Sequence, residues 1–141
     1  MDIGMSFAEN SKTALENAYE LAEKLNRSTV AVEHILYGLL SVDNCVASRI
    51  LKKYGVTSRK FLQIIKSRSI QNEVRFSDRL DFSPASKSVI NLAGQIAYRS
   101  NTNCLYTEHL LRSVLENRMG VTAQILVEDF NVNLEKMIED A

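Results

Sequence analysis

The chain repeats itself about 75 residues along, and that repeat constrains its fold more than any single motif does. Phe7 to Leu40, laid without gaps on Phe82 to Leu115, gives ten identical pairs in 34 positions. The pairs are Phe7/Phe82, Ser11/Ser86, Lys12/Lys87, Ala18/Ala93, Ala22/Ala97, Asn26/Asn101, Glu33/Glu108, His34/His109, Leu36/Leu111 and Leu40/Leu115. Past this stretch the register slips by one, and Ala47/Ala123, Tyr54/Phe130 and Val56/Val132 continue the match. An internal repeat of this kind means one supersecondary unit built twice, each copy burying its apolar face against the other.

The repeated unit reads as helical. One proline and five glycines in 141 residues leave long segments unbroken. Ala14, Leu15, Ala18, Leu21, Ala22 and Leu25 recur at spacings of three and four, as do Val89, Ile90, Ala93, Ile96 and Ala97. Both series are amphipathic helix faces, and the alanines predict close approach of a second backbone. Ser83 before Pro84 is a good cap and first-turn pair. Its counterpart Ala8 is not, so a capping box from Ser6 to Glu9 is predicted as the substitute.

A second helix is predicted at Glu33 to Leu40 and at Glu108 to Leu115, with Thr107 as the cap of the latter. A third runs through Val46 to Leu51 and, in the second copy, Ala123 to Leu126. It closes at Gly55 or Asn131, the two residue types that best tolerate a left-handed backbone. The fourth spans Ser58 to Lys66 and Leu134 to Asp140. No segment shows sustained strand alternation.

The expected architecture is all-α, with eight helices in two pseudo-symmetric four-helix repeats. Residues 1–141 form one domain, with repeat one at 5–68, a charged aperiodic linker at 69–81 and repeat two at 82–141.

Composition excludes several classes of function. Seventeen basic and seventeen acidic side chains cancel, so no global field draws the chain to nucleic acid or to an anionic membrane. No apolar run is long enough to span a bilayer, and no secretory signal opens the chain. Cys45 and Cys104 occupy unmatched positions and read as reduced structural thiols, which places the protein in the cytoplasm. Neither a metal nor a cofactor is expected, and the isolated domain is expected to be a monomer. The mixed-sign linker and the matched Lys12 and Lys87 read as solvated surface, and Tyr37, Tyr54 and Phe130 as core.

Two readings of Glu33 and Glu108 stay open on the residues alone. An acid in the first turn of a helix complements its dipole, worth ~0.3–1 kcal/mol. It can also face a pocket and receive a cationic group. His34 and His109 read as structural, holding loop backbone through their rings. Neither Glu-His pair is accompanied by a nucleophile or cofactor motif, which argues against a small acid–base enzyme.

The chain resembles the N-terminal domain of Clp-type AAA+ unfoldases, most closely the ClpC and ClpA/ClpB group. The resemblance is carried by Phe7 with the alanine-rich helix that follows it, by Val32-Glu33-His34-Ile35-Leu36-Tyr37-Gly38-Leu39-Leu40, and by Tyr54-Gly55-Val56. The second copy repeats the series at Thr107-Glu108-His109-Leu110-Leu111.

That resemblance implies a non-enzymatic module that docks protein substrates and adaptors for an ATP-dependent unfoldase or protease. No phosphate-binding loop occurs in the chain, so ATP hydrolysis would belong to a parent ATPase. The alternative is a stand-alone accessory protein of the same fold that binds a Clp complex; an end at Ala141 fits either. The resemblance further implies two phosphoarginine sites. Glu33 and Glu108 would pair with the guanidinium, and the phosphate would lie at the opening turn of each repeat's first helix, near Ala8 and Ser83. With Ala8 lacking a hydroxyl, Glu108 with Ser83 is expected to be the stronger site and Glu33 the weaker.

Overall fold

The computed structural model describes residues 6–68, 80–118 and 120–141. Among these, the chain forms β1 (Ser6–Phe7), α1 (Glu9–Lys24), α2 (Val32–Leu40), α3 (Val46–Lys53) and α4 (Ser58–Arg68). Then come α5 (Pro84–Arg99), β2 (Cys104–Leu105), α6 (Thr107–Glu116), α7 (Val121–Phe130) and α8 (Leu134–Asp140). The eight predicted helices are all present. Most of the linker, 69–79, lies outside the described residues. Its last two residues belong to the fold: Leu80 is buried, and the Asp81 carbonyl accepts a hydrogen bond from the Val30 N–H at 2.9 Å.

α1 lies against α2, and α5 lies against α6. Ala14, Ala18 and Ala22 are fully buried along α1, and Ala93 and Ala97 along α5. Gly38 shows why small residues are needed there, because a Cβ at that position would stand 2.1 Å from the Ala14 carbonyl oxygen. One hydrophobic core runs through both repeats, from Leu36, Leu39 and Phe61 to Leu111, Leu126 and Met137. Tyr37, Tyr54 and Phe130 are half-buried against it, as expected of core aromatics.

Matched asparagines end the first helix of each repeat. Asn26 and Asn101 take φ of 55° and 62°. The next N–H reaches back to Ala22 in one copy, at 2.9 Å, and to Ala97 in the other, at 3.2 Å. This is the left-handed closing turn that asparagine tolerates in place of glycine. Gly55 at φ 82° and Asn131 at φ 56° close α3 and α7 in the same left-handed region, as predicted.

Two caps differ from expectation. Ser6 does not cap α1: it lies in β1, its hydroxyl donates to the Asn103 carbonyl, and Ala8 is the N-cap with no side-chain bond. A strand had formed where a capping box was expected, because pairing with the other repeat satisfies the backbone better than a local turn does. Thr107 does not cap α6 either. Tyr106 occupies that position, while Thr107 is buried and accepts a hydrogen bond from the Ala47 N–H of α3 at 3.4 Å.

The strands themselves are two residues each. They pair in parallel, Ser6 with Cys104 and Phe7 with Leu105, and Val30 bridges Phe82 in the same sense. Segments this short show no alternation, which is why periodicity missed them. They determine how the repeats are joined: the segment leading into each repeat pairs with the other repeat's loop ahead of its second helix.

Candidate functional site

The matched Glu-His pairs sit at the second and third positions of α2 and α6. His34 Nδ1 accepts the Ala31 N–H at 2.8 Å, and His109 Nδ1 accepts the Tyr106 N–H at 2.9 Å. Each imidazole thus performs the half of a capping box that glutamate or glutamine usually supplies. Both rings are buried, which fixes them as structural. Burial pushes the His109 imidazole below its ordinary value, and the neighbouring Glu108 charge offsets part of that. The cap needs Nδ1 unprotonated, so burial and the hydrogen bond act in the same direction. Glu33 and Glu108, one residue earlier, remain half-exposed at the helix surface.

The pairing across the repeats decides which residues face these glutamates. The Ala8 N–H donates to the Leu105 carbonyl at 3.0 Å, three residues before Glu108; the Ser83 N–H donates to the Val30 carbonyl at 3.0 Å, three residues before Glu33. Ser11 Oγ and Ser86 Oγ donate to the same two carbonyls, each at 2.8 Å. The start of α1 therefore adjoins the start of α6, and the start of α5 adjoins the start of α2.

This corrects the grouping expected from sequence, which joined Ser83 to Glu108 within one repeat. In its own repeat α5 begins beside the far end of α6, where Ala85 and Ser88 share a cavity lining with Ser113, Glu116 and Asn117. At 1.5 Å per residue Glu108 lies ~12 Å along the helix from Glu116. The backbone bonds thus group Ala8 with Glu108 at one junction and Ser83 with Glu33 at the other.

The two junctions are unequal, though not for the reason that sequence suggested. Ser83 Oγ accepts the Ser86 N–H at 3.1 Å and donates to Ser86 Oγ at 3.1 Å. Its hydroxyl is occupied in capping α5, and Pro84 offers no N–H. At the start of α1 no side chain caps the opening amides, although the acidic Glu9 stands there.

The junction at Glu108 also has an aromatic ring that the junction at Glu33 lacks, because Tyr106 stands where repeat one has Ala31. The Tyr106 ring lies 5.8 Å from the His109 ring, centroid to centroid, and the side chain is 44% exposed. Its hydroxyl is raised above the ordinary tyrosine range, chiefly by hydrogen bonding to Cys104 and then by the charge that Cys104 carries as a thiolate. Comparing the copies position by position brings Tyr106 to notice; searching for charged motifs does not. Lys12, one turn into α1, is exposed, whereas the matching Lys87 is paired with Asp81 at 3.0 Å.

Both cysteines are free thiols. Cys45 is buried at the N-cap of α3, where its sulfur accepts the Ser48 N–H. Among the described residues no group of three metal-binding side chains occurs, and no helix is long and apolar enough to cross a membrane.

Comparison with known proteins places this geometry. Residues 6–129 match the family of the Clp repeat (R) N-terminal domain. The ATP-binding subunit ClpC of the ATP-dependent Clp protease from Staphylococcus aureus (strain USA300) is 28% identical over 125 residues, which cover 88% of this chain and 15% of ClpC. The chain thus spans about 15% of the length of the curated relatives it matches. Among solved structures, the N-domain of ClpV from Vibrio cholerae superposes with a TM-score of 0.76 at 22% identity, covering 95% of this chain and 81% of that one. A complex of the ClpV N-domain with a VipB peptide gives 0.74 at 20% identity, covering 96% and 89%.

Proposed function

The chain belongs to the Clp repeat N-terminal domain family, and on that premise we propose that it docks protein substrates and adaptors for a Clp-type unfoldase without chemistry of its own. One observation carries the proposal. At each of two pseudo-equivalent junctions, the N-terminus of one repeat's first helix adjoins the carboxylate-bearing start of the other repeat's second helix. Helix-start amides suit a phosphate, and a carboxylate suits the planar guanidinium fork. A peptide carrying phosphoarginine presents both groups on one side chain. The relative whose N-domain is solved with a VipB peptide adds weight to peptide docking as the general mode.

Glu108 remains the stronger anchor, but with different neighbours. The uncapped amides of α1 receive the phosphate, and Tyr106 offers a face on which a guanidinium can stack. Glu33 works beside the self-capped α5 and has no aromatic wall.

Calorimetric titration of a phosphoarginine peptide into the wild-type chain, Glu33→Ala and Glu108→Ala tests this. Glu108→Ala is expected to remove the tighter of two binding events, and Glu33→Ala the weaker. No heat with wild type at millimolar peptide would reject phosphoarginine as the ligand.

A further inference from the structure

Repeat two carries a groove, separate from both junctions, whose lining comes from α5 and α6. Cavities of about 440 and 340 Å³ lie end to end along this helix pair, sharing Leu92 and Glu116. Their floor is apolar, with Val89, Leu92 and Ile96. One end is cationic, with Arg99 and Arg112 beside Ser100, and the other is neutral, with Ser88, Ser113 and Asn117. From Ala85 to Ser100 the groove follows α5 for about 22 Å, room for a few turns of helix.

The pseudo-equivalent groove in repeat one is built differently. It is walled by Leu62 and Lys66 of α4, and places Asn17, Tyr37 and Ser41 where repeat two has Leu92, Arg112 and Glu116. Duplication therefore produced both grooves: the first keeps Leu21 and Lys24 where the second has Ile96 and Arg99, but only the second gains Leu92 and Arg112, in place of Asn17 and Tyr37.

We infer that the α5–α6 groove docks an amphipathic protein segment whose apolar side chains lie on Leu92 and Ile96 and whose acidic end meets Arg99 and Arg112. Charge complementarity selects that occupant. Among the described residues no carboxylate pairs with Arg99. Arg112 is held only by Glu116, at 3.4 Å on an exposed surface. Such a pair is weak and readily exchanged for an incoming carboxylate. Glu116 in turn repels acid from the middle of the groove, which fixes the acidic end of the segment at Arg99 and leaves its neutral part over Ser88 and Asn117.

The probe is a short fluorescein-labelled helical peptide with leucine at every third or fourth position and two aspartates at its C-terminal end. Anisotropy titration against the 141-residue chain is compared with the same peptide carrying asparagines. The aspartate peptide is expected to bind at least about tenfold more tightly, a ratio set by charge. Arg99→Glu with Arg112→Glu should abolish that preference, Arg99→Lys with Arg112→Lys should retain most of it, and amide signals of Leu92, Ile96 and Arg99 should shift on binding. Glu108→Ala should leave it unchanged, so loss of the phosphoarginine site and loss of this groove are read separately. Equal binding of the two peptides, an unaffected preference in the charge-reversed chain, or no binding of either peptide would overturn the proposal.

Discussion

The two repeats are alike where they hold each other and unlike at the helix starts and within each helix pair. The histidine caps measure 2.8 and 2.9 Å, the cross-repeat serine bonds are both 2.8 Å, and the closing asparagines differ by only a few degrees in φ. Against this shared frame stand three exchanges at matched positions: Ala8 for Ser83, Ala31 for Tyr106, and Gly38 for Ser113. The frame leaves little freedom where its bonds are buried, as they are at Ser11 and Ser86, because an unmade buried hydrogen bond is costly. Ala8/Ser83 and Ala31/Tyr106 lie at helix starts, where a side chain can vary without opening the core, whereas Gly38 and Ser113 are buried at a helix contact. Duplication thus preserved a way of interlocking and left other positions of the two repeats to diverge.

The sharpest way to break this comparison is at Gly38 and Ser113. In repeat one the helices approach so closely that a Cβ at Gly38 would meet the Ala14 carbonyl oxygen. In repeat two Ser113 Oγ donates to the equivalent carbonyl, that of Val89, at 2.6 Å. Gly38→Ser should force α1 from α2 and destabilise by about 3 kcal/mol or more. Ser113→Gly should cost only about 1–2 kcal/mol, for a lost hydrogen bond and a more flexible backbone. Denaturant unfolding of both variants reads the difference; equal losses would mean the helix pairs are packed alike.

Ser11 and Ser86 test the likeness instead. Each hydroxyl is buried and closes one of the two junctions between repeats. Ser11→Ala and Ser86→Ala should each cost roughly 0.5–1.5 kcal/mol, since each carbonyl loses one of its two donors, and should cost nearly the same. A several-fold disparity in the measured losses would show that one junction dominates.

The smallest effect is acid sensitivity. Burial lowers the folded His109 imidazole below its ordinary value, so the unfolded chain binds a proton first as pH falls. Stability from this group is therefore full above the unfolded value of about 6.5 and is lost as pH drops below it, toward the lower folded value. His109→Gln keeps an acceptor at the same capping position and should flatten that part of the stability profile. Thermal unfolding of the two proteins between neutral and mildly acidic pH would reveal it; an unchanged slope would remove His109 as its source.

Much of the fold was legible because its signals are local. The spacing of alanines and leucines in α1 and α5, the Ser83-Pro84 start and the Gly55 and Asn131 stops each depend on a few neighbouring residues. The strands were not legible, since Ser6–Phe7 and Cys104–Leu105 pair across about a hundred residues and are too short for alternation. The sites followed the same divide. Glu33 and Glu108 could be singled out by their repetition, but which helix start each one faces is a tertiary fact. Sequence proximity suggested Ser83 for Glu108, whereas the crossed pairing brings Ala8 there instead. Ser83 also lost its free hydroxyl to Ser86, a competition that sequence spacing does not reveal.

The central claim is that each docking site is built across the repeats, and residue-resolved NMR during a phosphoarginine peptide titration tests it most directly. In the wild-type chain, amides at the start of α1 should shift together with Glu108, and those at the start of α5 together with Glu33. Glu108→Ala should silence the response at Glu9, Asn10 and Ser11 while leaving Ala85 and Ser86 responsive. If Glu108→Ala instead silences Ala85 and Ser86 and spares the start of α1, the sites lie within the repeats and the account is wrong.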